Sequence, residues 1–144
     1  RKAFAIAAYH HWERSVLEWW YAENPAARDE SVPEASRPTP PRNHERLLAF
    51  TETVATPPAP ALDKVRTLAN ALKHNSKDRW DDLVQQWPEV IARTPYKHRA
   101  DWAGTIRLSD SQLLKVFQAV QQSGPRPPRK RDWPRLPFTP RGDA

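Results

Sequence analysis

Apolar positions along the chain fall into helix-period blocks separated by clusters of proline. In residues 3–22, Phe4, Ala8, Trp12, Val16 and Trp20 recur every four residues, and Ala5, Trp12 and Trp19 every seven. Together these series predict a helix with one broad apolar face. Glu13, Arg14 and Glu18 lie largely off that face, while Tyr9, Leu17 and Tyr21 widen the apolar surface beyond its main stripe. A helix apolar over so much of its circumference is expected to lie between layers or between partners. Pro25 ends it, because the proline ring clashes with helical backbone before it.

Residues 24–42 carry Pro25, Pro33, Pro38, Pro40 and Pro41 and are expected to be an irregular linker. A short helix is predicted from His44 to Val54, with Leu47, Leu48, Phe50 and Val54 on its apolar side, before a break at Pro57, Pro58 and Pro60. Residues 61–73 repeat Leu62, Val65, Leu68, Ala69 and Leu72 at the helical period. His74-Asn75-Ser76 then reads as a stop followed by an N-cap. Trp80, Leu83, Val84 and Trp87 mark the next helix at i, i+3, i+4 and i+7, so the pair forms an αα-hairpin. Pro88 suits the first turn of a further short helix over Glu89–Arg93.

Residues 109–122 carry the fullest local code. Ser109 and Gln112 form an S-x-x-Q capping box, and Leu108 with Leu113 fits a hydrophobic staple. Leu113, Leu114, Phe117 and Val120 make the apolar face, with Gly124 and Pro125 closing the helix. The last twenty residues contain six prolines, which deny the hydrogen bonds that helices and central strands need. An extended, polyproline-like arm with Trp133, Leu136 and Phe138 as spaced apolar anchors is expected there. No strand signal and no long internal repeat is visible.

These elements predict an all-α fold: short-to-medium helices joined by Pro-rich linkers, with an extended basic Pro-rich C-terminal arm. The expected layout is an N-terminal aromatic-faced helix over 1–23, a linker over 24–42, a small helical domain over 43–124 and the arm over 125–144.

Composition sharpens this picture. Hydrophobic residues make up 38% of the 144, below the about 45–50% usual in globular domains, so a small core is expected. Sixteen prolines against three glycines favour stiff connectors over tight turns. Seven tryptophans in a chain short of core are expected to complete that core on neighbours. With no cysteine there is no disulfide framework and no thiol-based metal or redox site. The missing methionine at position 1 suggests a processed or trimmed N-terminus. No run of about 20 apolar residues suits a membrane span.

The net charge of +6 is concentrated in the arm. Residues 1–42 balance six bases with six acids, residues 43–124 hold eleven bases and nine acids, and residues 125–144 hold six bases and two acids. The body is therefore nearly neutral and the arm basic.

Chemical motifs are sparse. His10 and His11 share helix faces with Arg14 and Ser15, which is poor metal-ligand geometry. Asp78, Asp81 and Asp82 suit the positive end of a helix macrodipole better than acid–base catalysis. Three glycines cannot build a phosphate-cradling loop, and no serine sits in a nucleophile elbow. Neither enzyme activity nor a cofactor nor a bound metal is expected.

Tyr96, Lys97, His98, Arg99 and Trp102 interleave aromatics with bases, which suits RNA stacking or an amphipathic turn packed on the core. The helices over 62–87 also read as a helix-turn-helix, although acids at the start of the second one disfavour a DNA reader. Arg131-x-x-Pro134-x-x-Pro137 matches a polyproline ligand with a basic anchor.

The run from Leu108 to Phe117, followed by Trp133-Pro134, resembles the C-terminal end of subunit d of the mitochondrial ATP synthase stalk, and Ala69–Lys73 is similar to another piece of it. That family's long coiled coil between the two pieces has no counterpart in this chain. The likeness is confined to these short stretches and only tilts the expected setting toward an organellar energy complex.

The expected function is thus a non-enzymatic accessory subunit of a large multi-protein complex, with other subunits as partners. A mitochondrial respiratory or ATP synthase assembly is its expected setting. Trp12, Trp19, Trp20, Trp133, Leu136 and Phe138 are the candidate protein-interface residues. The alternative is a mitochondrial ribosomal protein with Arg126, Arg129, Lys130, Arg131 and Arg135 on rRNA phosphates.

Overall fold

A computed structural model describes residues 1–54, 57–94 and 101–124. Among these residues the fold is all-α, as the sequence pattern predicts. The helices are α1 (Lys2–Glu23), α2 (His44–Thr53), α3 (Leu62–His74), α4 (Lys77–Gln86) and α5 (Asp110–Ser123). None is long and apolar enough to cross a membrane.

The buried stripe of α1 is Ala5, Ala8, Tyr9, Trp12 and Val16. This corrects the expected face at both edges, bringing Tyr9 in and leaving Phe4 63% exposed. A four-residue repeat advances about 40° beyond each full turn, so a series starting at Phe4 drifts across the helix. The stripe packs against α3 and α5, with α2 alongside. The layers around α1 are therefore the chain's own.

Around it the core gathers Leu62, Val65 and Leu68 of α3, Leu83 of α4, Val116 of α5, and Ile106 just before α5. Each such side chain, fully buried, contributes about 1.5–3 kcal/mol of transfer free energy.

Caps fix the helix starts. Asn43 accepts from the Arg46 backbone N–H at 3.0 Å to open α2. Ser109 and Gln112 form the predicted capping box at α5. Ser76 occupies the N-cap of α4, yet its side chain makes no capping bond. The stop before it is Asn75, at φ 46°, in the left-handed region that a short polar side chain tolerates. Its Oδ1 accepts from the Ala103 N–H at 2.8 Å, which ties the α3–α4 turn to the segment leading into α5. Gly124, expected to close α5 in a glycine cap, ends it with extended backbone at φ −103° instead.

Two predicted segments differ. The 24–42 linker is not wholly irregular, since it holds single 3₁₀ turns at Pro25–Ala27 and Glu34–Ser36. Proline fits the first position of such a turn because no N–H is needed there. The helix expected over Glu89–Arg93 is only the 3₁₀ turn Pro88–Val90. Beyond it Ile91 pairs in an antiparallel bridge with Ile106. The Arg107 N–H donates to the Val90 carbonyl at 2.8 Å and the Ala92 N–H to the Thr105 carbonyl at 2.9 Å. This tertiary pairing outweighs the local helical preference.

Candidate functional site

Helices α1 and α5 run parallel, and two contacts fix their register. The Arg1 guanidinium donates to Asp110 at 2.7 Å and 3.0 Å at one end. At the other, the Trp12 indole N–H donates to the Ser123 carbonyl at 2.7 Å. Phe4 therefore stands level with the first turns of α5.

The outer edges of this seam carry side chains that the core leaves uncovered. On α1 these are the exposed Phe4 and His11 and the partly exposed Ser15, spaced i, i+7 and i+11 along one stripe. On α5 they are Leu114, Phe117 and Gln121, spaced i, i+3 and i+7. Phe4, Leu114 and Phe117 are 63%, 55% and 42% exposed. Between the stripes lies a groove of about 290 Å³ lined by His11, Ser15, Phe117, Val120 and Gly124, with Trp12 reaching into it. Scattered exposed apolar residues are ordinary, but three along one seam form a patch of the kind that marks interaction surfaces. The α1–α5 seam is the candidate site.

The sequence-predicted interface tryptophans are placed differently from one another. Trp12 is 1% exposed and anchors the chain's own core. Its indole is bonded to α5, and its ring stacks on Tyr9 at 5.9 Å. Trp19 is half-buried, edge-on to Phe50 of α2 at 5.6 Å. Trp20 packs edge-on to Tyr21, whose ring carries the Arg28 guanidinium 3.8 Å from its centroid. The Arg28 guanidinium also donates to Glu18 at 2.9 Å. Trp19 and Trp20 thus fasten α2 and the start of the linker while keeping part of their surface open. Trp133, Leu136, Phe138, Arg126, Arg129, Lys130, Arg131 and Arg135 lie outside the described residues.

Phe4, Leu114 and Phe117 escaped the sequence-based interface list because each belongs to a periodic series that looks like core. A finer helical projection about the Ala5–Trp12–Val16 axis puts Phe4 at the edge.

Other candidate chemistry resolves as follows. His10 Nδ1 lies 2.8 Å from Glu13 Oε2, a local pair along α1. Lys77 and Arg79 pair with Asp81 and Asp82 on the same helix, so the outer face of α4 carries no free basic row for DNA phosphates. Of the aromatic–basic cluster, Tyr96, Lys97, His98 and Arg99 lie outside the described residues. Trp102 packs on Trp80 at 5.2 Å, and the Trp80 indole donates to Thr105 Oγ1 at 2.9 Å. Among the described residues no three metal-capable side chains converge. A second groove, of about 450 Å³, runs between Lys64 of α3 and Lys115 of α5 over the edge of Trp87.

One polar cluster lies inside. Tyr9 Oη and His44 Nδ1 are 2.9 Å apart. Burial, reinforced by Glu13, pushes the Tyr9 phenol well above its ordinary value. Burial, with Arg66 second, pushes the His44 imidazole below its own. A protonated phenol donating to a neutral imidazole satisfies both, and leaves His44 Nε2 buried with no partner among the described residues.

No known family, characterised protein or solved structure matches the chain.

Proposed function

We propose that the chain is a non-enzymatic docking subunit of a larger protein assembly, joined to its neighbours through the α1–α5 seam and the C-terminal arm. The observation that carries this reading is the exposed strip of Phe4, Leu114 and Phe117 along one helix pair. Such side chains gain free energy when a partner removes them from water. Trp19 and Trp20, partly exposed at the α2 end of α1, offer a second aromatic surface. The sequence likeness to a stalk subunit of the mitochondrial ATP synthase makes an organellar energy complex the first setting to test.

Native purification of the full chain, with co-purifying proteins identified by mass spectrometry, tests the reading. Partners should stay bound as salt rises, because apolar contacts are little screened. The double variant Phe4→Ser/Leu114→Ser should lose them while melting close to the parent, since both side chains are more exposed than buried. Retention of every partner by that variant overturns the reading.

The arm's six bases against two acids favour a second reading, contact with ribosomal RNA. Binding would then fall steeply with salt and follow the arm's arginines. The same purification, run across a salt series with nuclease treatment, separates the two.

A further inference from the structure

Helix α2 is fastened to α1 by one polar contact, and that contact contains a titrating ring. His44 is the first residue of α2, and its Nδ1 lies 2.9 Å from Tyr9 Oη. Among the described residues this is the only hydrogen bond between α2 and another helix. The helix encloses little else: Leu47 and Thr51 are its buried residues, and Phe50 meets Trp19 edge-on. Pro38, Pro40 and Pro41 precede it and Pro57, Pro58 and Pro60 follow, so proline-rich chain flanks it on both sides.

We infer that protonation of His44 releases α2 from α1 while the rest of the helical body stays folded, so that the His44–Tyr9 pair is a pH-operated latch. The latch is separate from the α1–α5 seam and needs no partner.

The attached site has no place for a second ring proton. In the neutral pair Nδ1 accepts from the Tyr9 hydroxyl, and Nε2 is buried with no partner among the described residues. Protonation turns Nδ1 into a donor, so the bond must be remade with the phenol reversed. It also spreads positive charge onto the buried Nε2–H, which has no acceptor. The ring sits in the first turn of α2, at the positive end of the helix macrodipole, which disfavours a cation further. Trp12 and Tyr9 lie tilted to it at 5.5 and 5.9 Å and offer Nε2 no lone pair.

Four charged groups surround the ring: Glu13 of α1, Glu45 of α2, and Asp63 and Arg66 of α3. Glu13 lies 2.8 Å from His10 Nδ1, and Asp63 is paired with Arg66 at 2.8 Å, so two of the three acids are already engaged. Burial outweighs the acids and holds the attached imidazole below its ordinary value. Detachment puts the ring in water, where it takes its proton at the ordinary 6.5. Below that value each pH unit favours detachment about tenfold, until the attached ring is charged too. The packing of α1 on α3 and α5 and the Trp12 bond to Ser123 do not involve α2.

The chain has no cysteine, so spin labels can be placed in pairs in the full-length protein. Glu52→Cys with Gln118→Cys spans α2 and α5, and Lys73→Cys with Gln118→Cys spans α3 and α5; all three positions are exposed. Pulsed dipolar EPR at about pH 7.5 should give a narrow distance for each pair. At about pH 5 the α2–α5 pair should lose a large part of its narrow peak to a broad distribution, while the α3–α5 peak persists. His44→Gln keeps an acceptor for the Tyr9 hydroxyl but cannot titrate, and should remove the change between the two pH values. An α2–α5 peak in the parent that is equally narrow at both pH values overturns the inference. So does broadening of both pairs together, or the same pH-dependent change in the His44→Gln chain.

Discussion

The Trp12 indole N–H donates to the Ser123 carbonyl at 2.7 Å, joining the middle of the first helix to the last turn of the fifth across 111 residues of sequence. Ser123 is fully buried and serves a third element as well. Its hydroxyl donates to the Ala119 carbonyl at 2.6 Å and accepts from the Ala59 N–H at 2.8 Å. The proline-rich stretch before α3 is thereby held against the end of α5.

Two substitutions separate these roles. Trp12→Phe leaves the buried Ser123 carbonyl without its donor and should cost about 1–3 kcal/mol. Ser123→Ala keeps that carbonyl but strands the Ala59 N–H, and should cost about 1–2 kcal/mol. Urea unfolding of both variants checks this. A Trp12→Phe variant as stable as the parent would show that the indole bond contributes nothing.

Asn75 carries two burdens at once, a left-handed backbone and a side-chain bond to the Ala103 N–H. Asn75→Ala loses both and should destabilise by about 1–3 kcal/mol. Asn75→Gly restores the backbone freedom without the bond, so it should recover only part of the loss. Equal stability of the two variants would mean that the backbone conformation is not a cost at this position.

Helices α3 and α4 were legible because their apolar residues keep a strict helical period, whereas α5 was legible in its bounds and capping box but not in its face: Val116, Ala119 and Ser123 are buried, while the expected Leu114 and Phe117 are exposed. The role of α1 was not legible. Its aromatics occur on several faces, so Trp12 in the core and Phe4 at the surface look alike until α5 is placed beside them. The Ile91–Ile106 bridge was equally hidden, because it depends on two segments meeting across a sequence gap. The seam itself is a property of two parallel helices, and no window along the chain contains it.

Serine stands at the N-cap of both α4 and α5, yet only one makes the capping bond. Ser109 Oγ accepts from the Gln112 N–H at 3.2 Å, while Ser76 has no side-chain cap bond. Ser109→Ala should therefore cost about 1 kcal/mol, within the usual range for a lost N-cap. Ser76→Ala should leave the thermal midpoint unchanged. Equal losses at the two sites would contradict the difference in geometry.

His44 links the start of α2 to α1 through Tyr9, and its imidazole is held below its ordinary value of 6.5, chiefly by burial. Glu13 on α1, Glu45 on α2, and Asp63 and Arg66 on α3 are the charged groups around it. The sign follows from which state takes the proton. Above the ordinary value both states are neutral at this site and it adds no pH dependence. As pH falls through 6.5, the unfolded chain binds a proton that native His44 refuses, so stability falls with pH. The fall ends once pH is below the folded-state value, where native His44 is charged too. Chemical unfolding between about pH 7.5 and about pH 5 should show this decline in the parent. His44→Gln keeps an oxygen to accept from the Tyr9 hydroxyl but carries no titrating ring, so its stability should vary less over the same window. Identical pH profiles for parent and variant would remove His44 as the source and place the dependence on other groups.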